Sequence, residues 1–110
     1  MEFQIKPEYN EKEKCWNVDV QGEIDIYNSS SVKDYLSNLI QVHQADIHIN
    51  CKNLEYIDST GLGALVAVVK KVKLYNGNVY LKNVKSNVEK VFKITNLDKV
   101  FILESGEANA

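Results

Sequence analysis

The sequence predicts a single α/β domain. Its core should be a mostly parallel mixed sheet of about five strands, with helices packed mainly on one face. Three observations carry that expectation. Short strands of period two are interleaved with stretches of helical period in the order β-β-α-β-α-β-α-β, and strands joined through helices close by right-handed crossovers into a largely parallel sheet. The chain has 110 residues, which suits one domain and not two. The strands alternate apolar with polar residues instead of reading apolar throughout, so one sheet face should carry the helices and the other should stay partly open.

Phe3 to Lys6 alternates as a half-buried strand should, and Tyr9 to Lys14 is polar and reads as a turn. Trp16, Val18 and Val20 alternate with Asn17 and Asp19 in a second strand that ends at Gly22. A loop follows over Gly22–Asn28, and Ser29, Ser30 and Ser31 are candidate N-caps. Val32, Tyr35, Leu36, Leu39 and Ile40 then mark one face of a helix. Ile47 and Ile49 belong to a third strand, and Lys52 to Ile57 reads as a loop. The next segment, from Ser59 or Thr60 to about Leu74, is rich in β-branched residues, but its length and the stop signal Asn76-Gly77 favour a helix. Val79 and Leu81 give a fourth strand. Ser86 with Glu89 has capping-box spacing before Val88, Val91 and Phe92, and Val100 to Leu103 gives the last strand. The domain spans 1–103, and 104–110 reads as a flexible tail.

Composition narrows the function. Hydrophobic residues make up 45% of the chain and charged residues 25%, as in a soluble globular domain. Met1 to Gln4 carries no targeting signal, and the apolar run from Leu62 to Val69 is far short of the ~20 residues of a membrane helix, so a cytosolic protein without membrane insertion is expected. Cys15 and Cys51 are too few for a disulfide framework, and with His43 and His48 they show no metal-ligand spacing. No cofactor is implied. Every cation is lysine, which argues against direct nucleic-acid binding, where bidentate arginines do most of the reading. Charge is uneven: eleven acids face five lysines up to Val69, and eight lysines face Glu89 and Asp98 from Lys70 to Lys99. Two readings fit that basic run, a solvated surface with lysines at helix C-termini or a basic patch for a partner.

Asp58-Ser59-Thr60-Gly61-Leu62-Gly63 opens the second helix. A first turn has unpaired N–H groups, and glycines there let another backbone come close. Four readings compete on these residues alone: a plain N-cap, a phosphate cradle, a nucleophilic serine, and a serine exposed for phosphorylation by another protein. A cradle lacks the Gly-Lys-Thr of a Walker loop. A nucleophile elbow needs glycine two residues before the serine, where Ile57 stands, and neither histidine is an evident base. No catalytic residue is expected.

The chain up to Leu103 resembles the STAS domain, and within it the bacterial anti-sigma factor antagonists. Four blocks carry the resemblance in order: Gly22-Glu23-Ile24-Asp25-Ile26-Tyr27, Asn53 through Gly63, Gly77-Asn78-Val79-Tyr80-Leu81, and Val88 to Phe101. Departures at Ala67, Lys90 and Asn96 touch packing more than the serine region. The resemblance implies that Ser59 is the phosphorylated residue. It also implies that the unphosphorylated form binds an anti-sigma factor that is itself a serine kinase, and so releases a sigma factor. Phosphorylation from ATP ends that binding, and a metal-dependent serine phosphatase restores it. Asp25, Tyr27, Asn28, Asp58, Thr60, Gly61, Leu62 and Gly63 are then the expected partner-binding residues. Asp25 also suits an Asx turn, and Leu62 and Leu65 also suit a core. A second function fits the same domain: a STAS subunit of a membrane-lipid transporter docked on an ATPase.

Overall fold

The chain begins with a hairpin and continues as three strand–helix crossovers. Residues 3–106 are described in the computed structural model. β1 (Gln4–Asn10) and β2 (Cys15–Ile24) are followed by α1 (Ser29–Val42), β3 (Asp46–Ile57), α2 (Ser59–Lys73), β4 (Val79–Val84) and α3 (Ser86–Ile94). A 3-10 turn at Leu97–Lys99 leads into β5 (Ile102–Ser105). The sheet order is β1-β2-β3-β4-β5, antiparallel between β1 and β2 and parallel elsewhere. Spatial order follows chain order, so successive right-handed crossovers advance in one direction and all three helices fall on one face.

The alternation of the strands decides what meets those helices. Val18, Val20 and Ile24 of β2, Ile47, Ile49 and Ile57 of β3, and Leu81 of β4 are buried in one core with Leu36 of α1, Val68 and Val72 of α2, and Phe92 of α3. The opposite face is polar and partly open, as expected. There Asn50 donates to Asp19 at 3.0 Å and accepts from Asn83 at 3.0 Å, a ladder across β2, β3 and β4. Pro7, which cannot donate to a ladder, stands on the edge strand β1.

Several sequence expectations change. Lys52 to Ile57 is not a loop but the second half of β3, which pairs with β2 through Gln21–Asn53, Gly22–Leu54, Glu23–Tyr56 and Ile24–Ile57. Two register shifts break the alternation there, so Lys52 and Asn53 are both exposed and the period-two signal fails. For the same reason β2 runs past Gly22 to Ile24, with Gly22 at a φ of 105°. The turn after β1 is shorter than Tyr9–Lys14, because β1 persists to Asn10 and closes with Lys14 at a φ of 54°. The N-cap of α1 is Asn28 and not one of the serines, and that of α3 is Lys85 and not Ser86; Glu89 pairs instead with Lys93 at 3.3 Å. β5 starts at Ile102, since Leu97–Lys99 turns first and Phe101 is buried edge-on against Phe92. Of the tail read over 104–110, Glu104 and Ser105 finish β5 and 107–110 lie outside the described residues. The stop at Asn76-Gly77 is as read: Asn76 has a φ of 63° and Gly77 donates to the Val72 carbonyl at 3.0 Å.

On the open face His48 stacks on Tyr80, with ring centroids 4.3 Å apart. Burial, and next the nearby Lys82 ammonium, hold the imidazole below its ordinary pKa. A base disfavoured from protonating in the fold leaves stability intact above the unfolded pKa of about 6.5 and lowers it as pH falls through the folded value. The His48 ring protons should therefore titrate with a midpoint below about 6.5 in an NMR pH series, and His48→Gln should remove part of the fall in melting temperature between neutral and mildly acidic pH. A midpoint at or above the free-imidazole value would contradict the burial assigned to this ring.

Candidate functional site

Parallel strands followed by helices place every helix start at one end of the sheet, beyond the carboxyl ends of β2, β3 and β4. The β2–α1 loop and the start of α2 meet at that end. The Asp58 N–H donates to the Ile24 carbonyl at 3.2 Å, one step beyond the Ile24–Ile57 pair that closes the β2–β3 ladder.

Asp58 organises the helix start. It is the N-cap of α2, and its Oδ1 accepts from the Gly61 N–H at 3.0 Å and from the Thr60 hydroxyl at 2.6 Å. The Thr60 hydroxyl bond, then the Gly61 N–H, hold its carboxyl below the usual range. Ser59 is the first residue of the helix, and its side chain is exposed. The plain N-cap reading of Ser59 is thereby removed: Asp58 supplies the cap, and the Ser59 hydroxyl has no hydrogen-bond partner among the described residues.

The two glycines of the segment differ. A Cβ on Gly61 would lie 2.7 Å from Ile57 Cγ1, 2.8 Å from Ile24 Cγ2 and 3.0 Å from the Ile24 carbonyl. Gly61 is thus required by the approach of the two loops. A Cβ on Gly63 would meet nothing within 4 Å, so the fold makes no demand for glycine there. Gly63 lines a shallow groove between α1 and α2 with Ser29, Ser30, Lys33, Thr60, Ala64 and Ala67.

The β2–α1 loop is held by its own side chains. Asp25 accepts from the Tyr27 N–H at 3.0 Å, the Asx turn its position suggested. Asn28 accepts from the Asp25 N–H at 2.9 Å and donates to the Glu23 carbonyl at 2.8 Å. Asn28 therefore spends its amide inside the loop, and what the loop presents outward is Tyr27, 93% exposed, beside Ile26 at 68%.

The expected partner-binding residues thus separate. Tyr27 and Gly63 are exposed, and Asp25, Asn28, Asp58 and Thr60 are half-buried around them. Leu62, read both as a partner contact and as a core residue, is buried in the core, and Gly61 is buried where α2 meets the ends of β2 and β3; both shape the site from below, as Leu65 does. Ile26, Ser30 and Lys33, none of them expected among the partner-binding residues, also stand at this surface. An apolar Ile26 inside a polar loop and the i, i+3, i+4, i+7 set Thr60, Gly63, Ala64 and Ala67 were the available signals. Among the described residues no group of three His, Cys, Asp or Glu could hold a metal ion. Burial pushes the Cys51 thiol up to about 12, and Cys15 is also buried, so both thiols are placed as core residues.

The family model for the STAS domain matches residues 6–110. The anti-sigma-B factor antagonist of Staphylococcus aureus (strain NCTC 8325 / PS 47) is 30% identical over 95 residues, covering 86% of this chain and 88% of that one. A crystal structure from Thermotoga maritima superposes with a TM-score of 0.81 at 22% identity, over 92% of this chain and 86% of that one. The Bacillus cell fate determinant SpoIIAA in its phosphorylated form superposes with a TM-score of 0.69 at 21% identity, over 96% and 93%.

Two substitutions separate the glycines. Gly61→Ala should destabilise the domain by ~1–3 kcal/mol, because the new methyl must displace two packed isoleucines or a carbonyl. Gly63→Ala should leave stability unchanged or raise it by up to ~1 kcal/mol, the helix propensity difference. Urea unfolding of both would show it, and equal destabilisation would mean that Gly63 is also packed. Asp58→Ala should cost about 1 kcal/mol, and Asp58→Asn, which keeps an acceptor, should cost less.

Proposed function

We propose that this chain, which belongs to the STAS domain family, is an anti-sigma factor antagonist switched by phosphorylation of Ser59. The observation that carries the reading is the exposed, unbonded Ser59 hydroxyl at a helix start that is capped without it. Thr60 lies in the same turn, but its hydroxyl is spent on Asp58 at 2.6 Å, so Ser59 is the better acceptor of the two. The relatives at 30% identity bear the name of antagonists, and SpoIIAA, which shares the fold, exists in a phosphorylated form.

In this reading the unphosphorylated chain docks on an anti-sigma factor, itself a serine kinase, and so frees a sigma factor. The contact surface is the Ser59 end of α2, with Gly63 and Thr60 along the groove and Tyr27 and Ile26 on the adjoining loop. Gly63 lets the partner's backbone approach closely, which accounts for a helix glycine that the fold itself does not use. The kinase transfers the ATP γ-phosphoryl group to the Ser59 oxygen, with ADP leaving. A phosphoserine carries roughly −1.5 to −2 charges. The first-turn N–H groups favour an anion at that position, so the helix stays folded. The partner must now desolvate a doubly charged group beside Asp58 and Asp25, and a loss of ~3 kcal/mol weakens binding more than a hundredfold. A metal-dependent phosphatase that hydrolyses the ester restores the neutral surface.

Incubation with the cognate kinase and ATP should add one phosphate, mapped by fragment ions to Ser59 and not Thr60. Ser59→Ala should bind the kinase and resist inactivation. Ser59→Asp should bind at least about tenfold more weakly while melting like wild type, since an aspartate at the first turn suits the helix dipole. Gly63→Leu should also lose binding while staying folded. Tight binding by both Ser59→Asp and Gly63→Leu would remove this end of α2 from the interface.

A further inference from the structure

The other end of α2 carries a feature that the switch does not use. α1 and α2 run side by side, and their last turns enclose a groove of about 470 Å³ lined by Ser37, Ile40, Gln41, Gln44, Lys71, Leu74 and Tyr75. Leu74 is 87% exposed at this groove, and Val42, at the end of α1, is 69% exposed. The last turn of α2 holds Lys70, Lys71 and Lys73, and no acid lines the groove. Lys71 reaches Ser37 across it at 3.0 Å, and Lys73 reaches Asn78 at 2.7 Å, so neither is neutralised by a carboxylate. Asp46, the acid nearest Asn78, accepts from the Asn78 N–H at 2.7 Å.

Helix-dipole compensation alone does not explain this arrangement. α1 ends beside α2 with no basic residue in its last turn, whereas α2 has three. The dipole also gives no reason for an exposed leucine. We infer that the groove between the C-terminal turns of α1 and α2 is a second docking site, for an acidic amphipathic segment of a protein partner. The segment's leucine-like face would cover Leu74, and its carboxylates would meet Lys71 in the groove and Lys70 beside it. A lipid bilayer fits less well, because a flat surface would touch Leu74 and the lysine tips but could not enter the groove. The site lies about 20 Å from Ser59, fourteen residues along α2 at ~1.5 Å each. It should therefore be occupied whether or not Ser59 is phosphorylated. The inference stands on this groove and its charge, and does not depend on the Ser59 reading.

The test uses the full chain, labelled with nitrogen-15, and a synthetic helical peptide of about 20 residues built from Glu, Ala and Leu with Leu at i, i+3, i+4 and i+7. Titration should shift the amide signals of residues 37–44 and 70–75 and leave 59–63 unmoved. The same peptide with Lys in place of Glu should not bind. Lys70→Gln/Lys71→Gln/Lys73→Gln and, separately, Leu74→Ser should each weaken binding about tenfold or more with unchanged circular dichroism melts, and Ser59→Asp should change it by less than about twofold, as distant sites should. Shifts centred on 59–63, or none at millimolar peptide, would overturn the proposal. So would sedimentation of the chain with phosphatidylglycerol vesicles that the triple variant abolishes while peptide binding persists, since the lysines would then serve a membrane.

Discussion

The Asp58 carboxylate is the interaction on which the functional end of the molecule depends. One oxygen takes both the Gly61 N–H and the Thr60 hydroxyl, and the Asp58 backbone N–H ties the same residue to β2 through Ile24. A helix that begins at this point must place Gly61 against Ile24 and Ile57, where no side chain fits. It must also leave the next side chain, Ser59, outside the cap. Had Ser59 been the cap, phosphorylation would have replaced the capping acceptor itself and coupled modification to the geometry of the helix start. Because Asp58 does that work, charge at Ser59 can change while the backbone under it stays fixed.

The loop from β2 follows the same logic. Asp25 and Asn28 turn their polar groups inward to fix four consecutive residues, and the large side chains between them, Ile26 and Tyr27, are left facing solvent. Burying polar groups in a loop while exposing apolar ones inverts the usual arrangement. It makes sense when the loop's outer surface is completed by something other than this chain. Rigidity also limits the ordering cost of association, since a loop already held by side-chain hydrogen bonds loses little freedom on binding.

Most of the fold was legible because each crossover carries its own period. The strands at Trp16–Val20, Ile47–Ile49 and Val79–Leu81 and the helical face of α1 stand where alternation and i, i+3, i+4 spacing placed them, and α2 stands where its length and the stop at Asn76-Gly77 placed it. The second half of β3 was not legible. Register shifts against β2 expose Lys52 and Asn53 together, and a strand that skips a beat looks like a loop to any rule based on period two. The caps were misassigned for a different reason. Ser29 and Ser86 have the chemistry of caps, but the residues before them, Asn28 and Lys85, already have the backbone role, and sequence shows cap chemistry but not cap position. At α2 the sequence offered three cap-capable residues in a row, Asp58, Ser59 and Thr60. Only the hydrogen bonds could say that the first caps, the third supports the first, and the second is free.

One helix then links two unlike surfaces. At its N-terminus α2 meets the acids Asp58 and Asp25 and a neutral hydroxyl; at its C-terminus it carries three lysines and an exposed leucine. The N-terminal turn tolerates an added anion because its free N–H groups and the helix dipole oppose that charge. The same dipole favours cations at the other end and would resist a phosphate there. A serine in the last turn of α2 could be modified only at the expense of the helix itself, whereas the helix start at Ser59 accommodates an added anion. Between the two ends, Leu62, Leu65, Val68, Val69 and Val72 lock the helix into the core. A charge placed at Ser59 therefore has no soft element through which to spread. Its effect stays at the surface where it is added, which is what the proposed switch on binding requires of the fold beneath it.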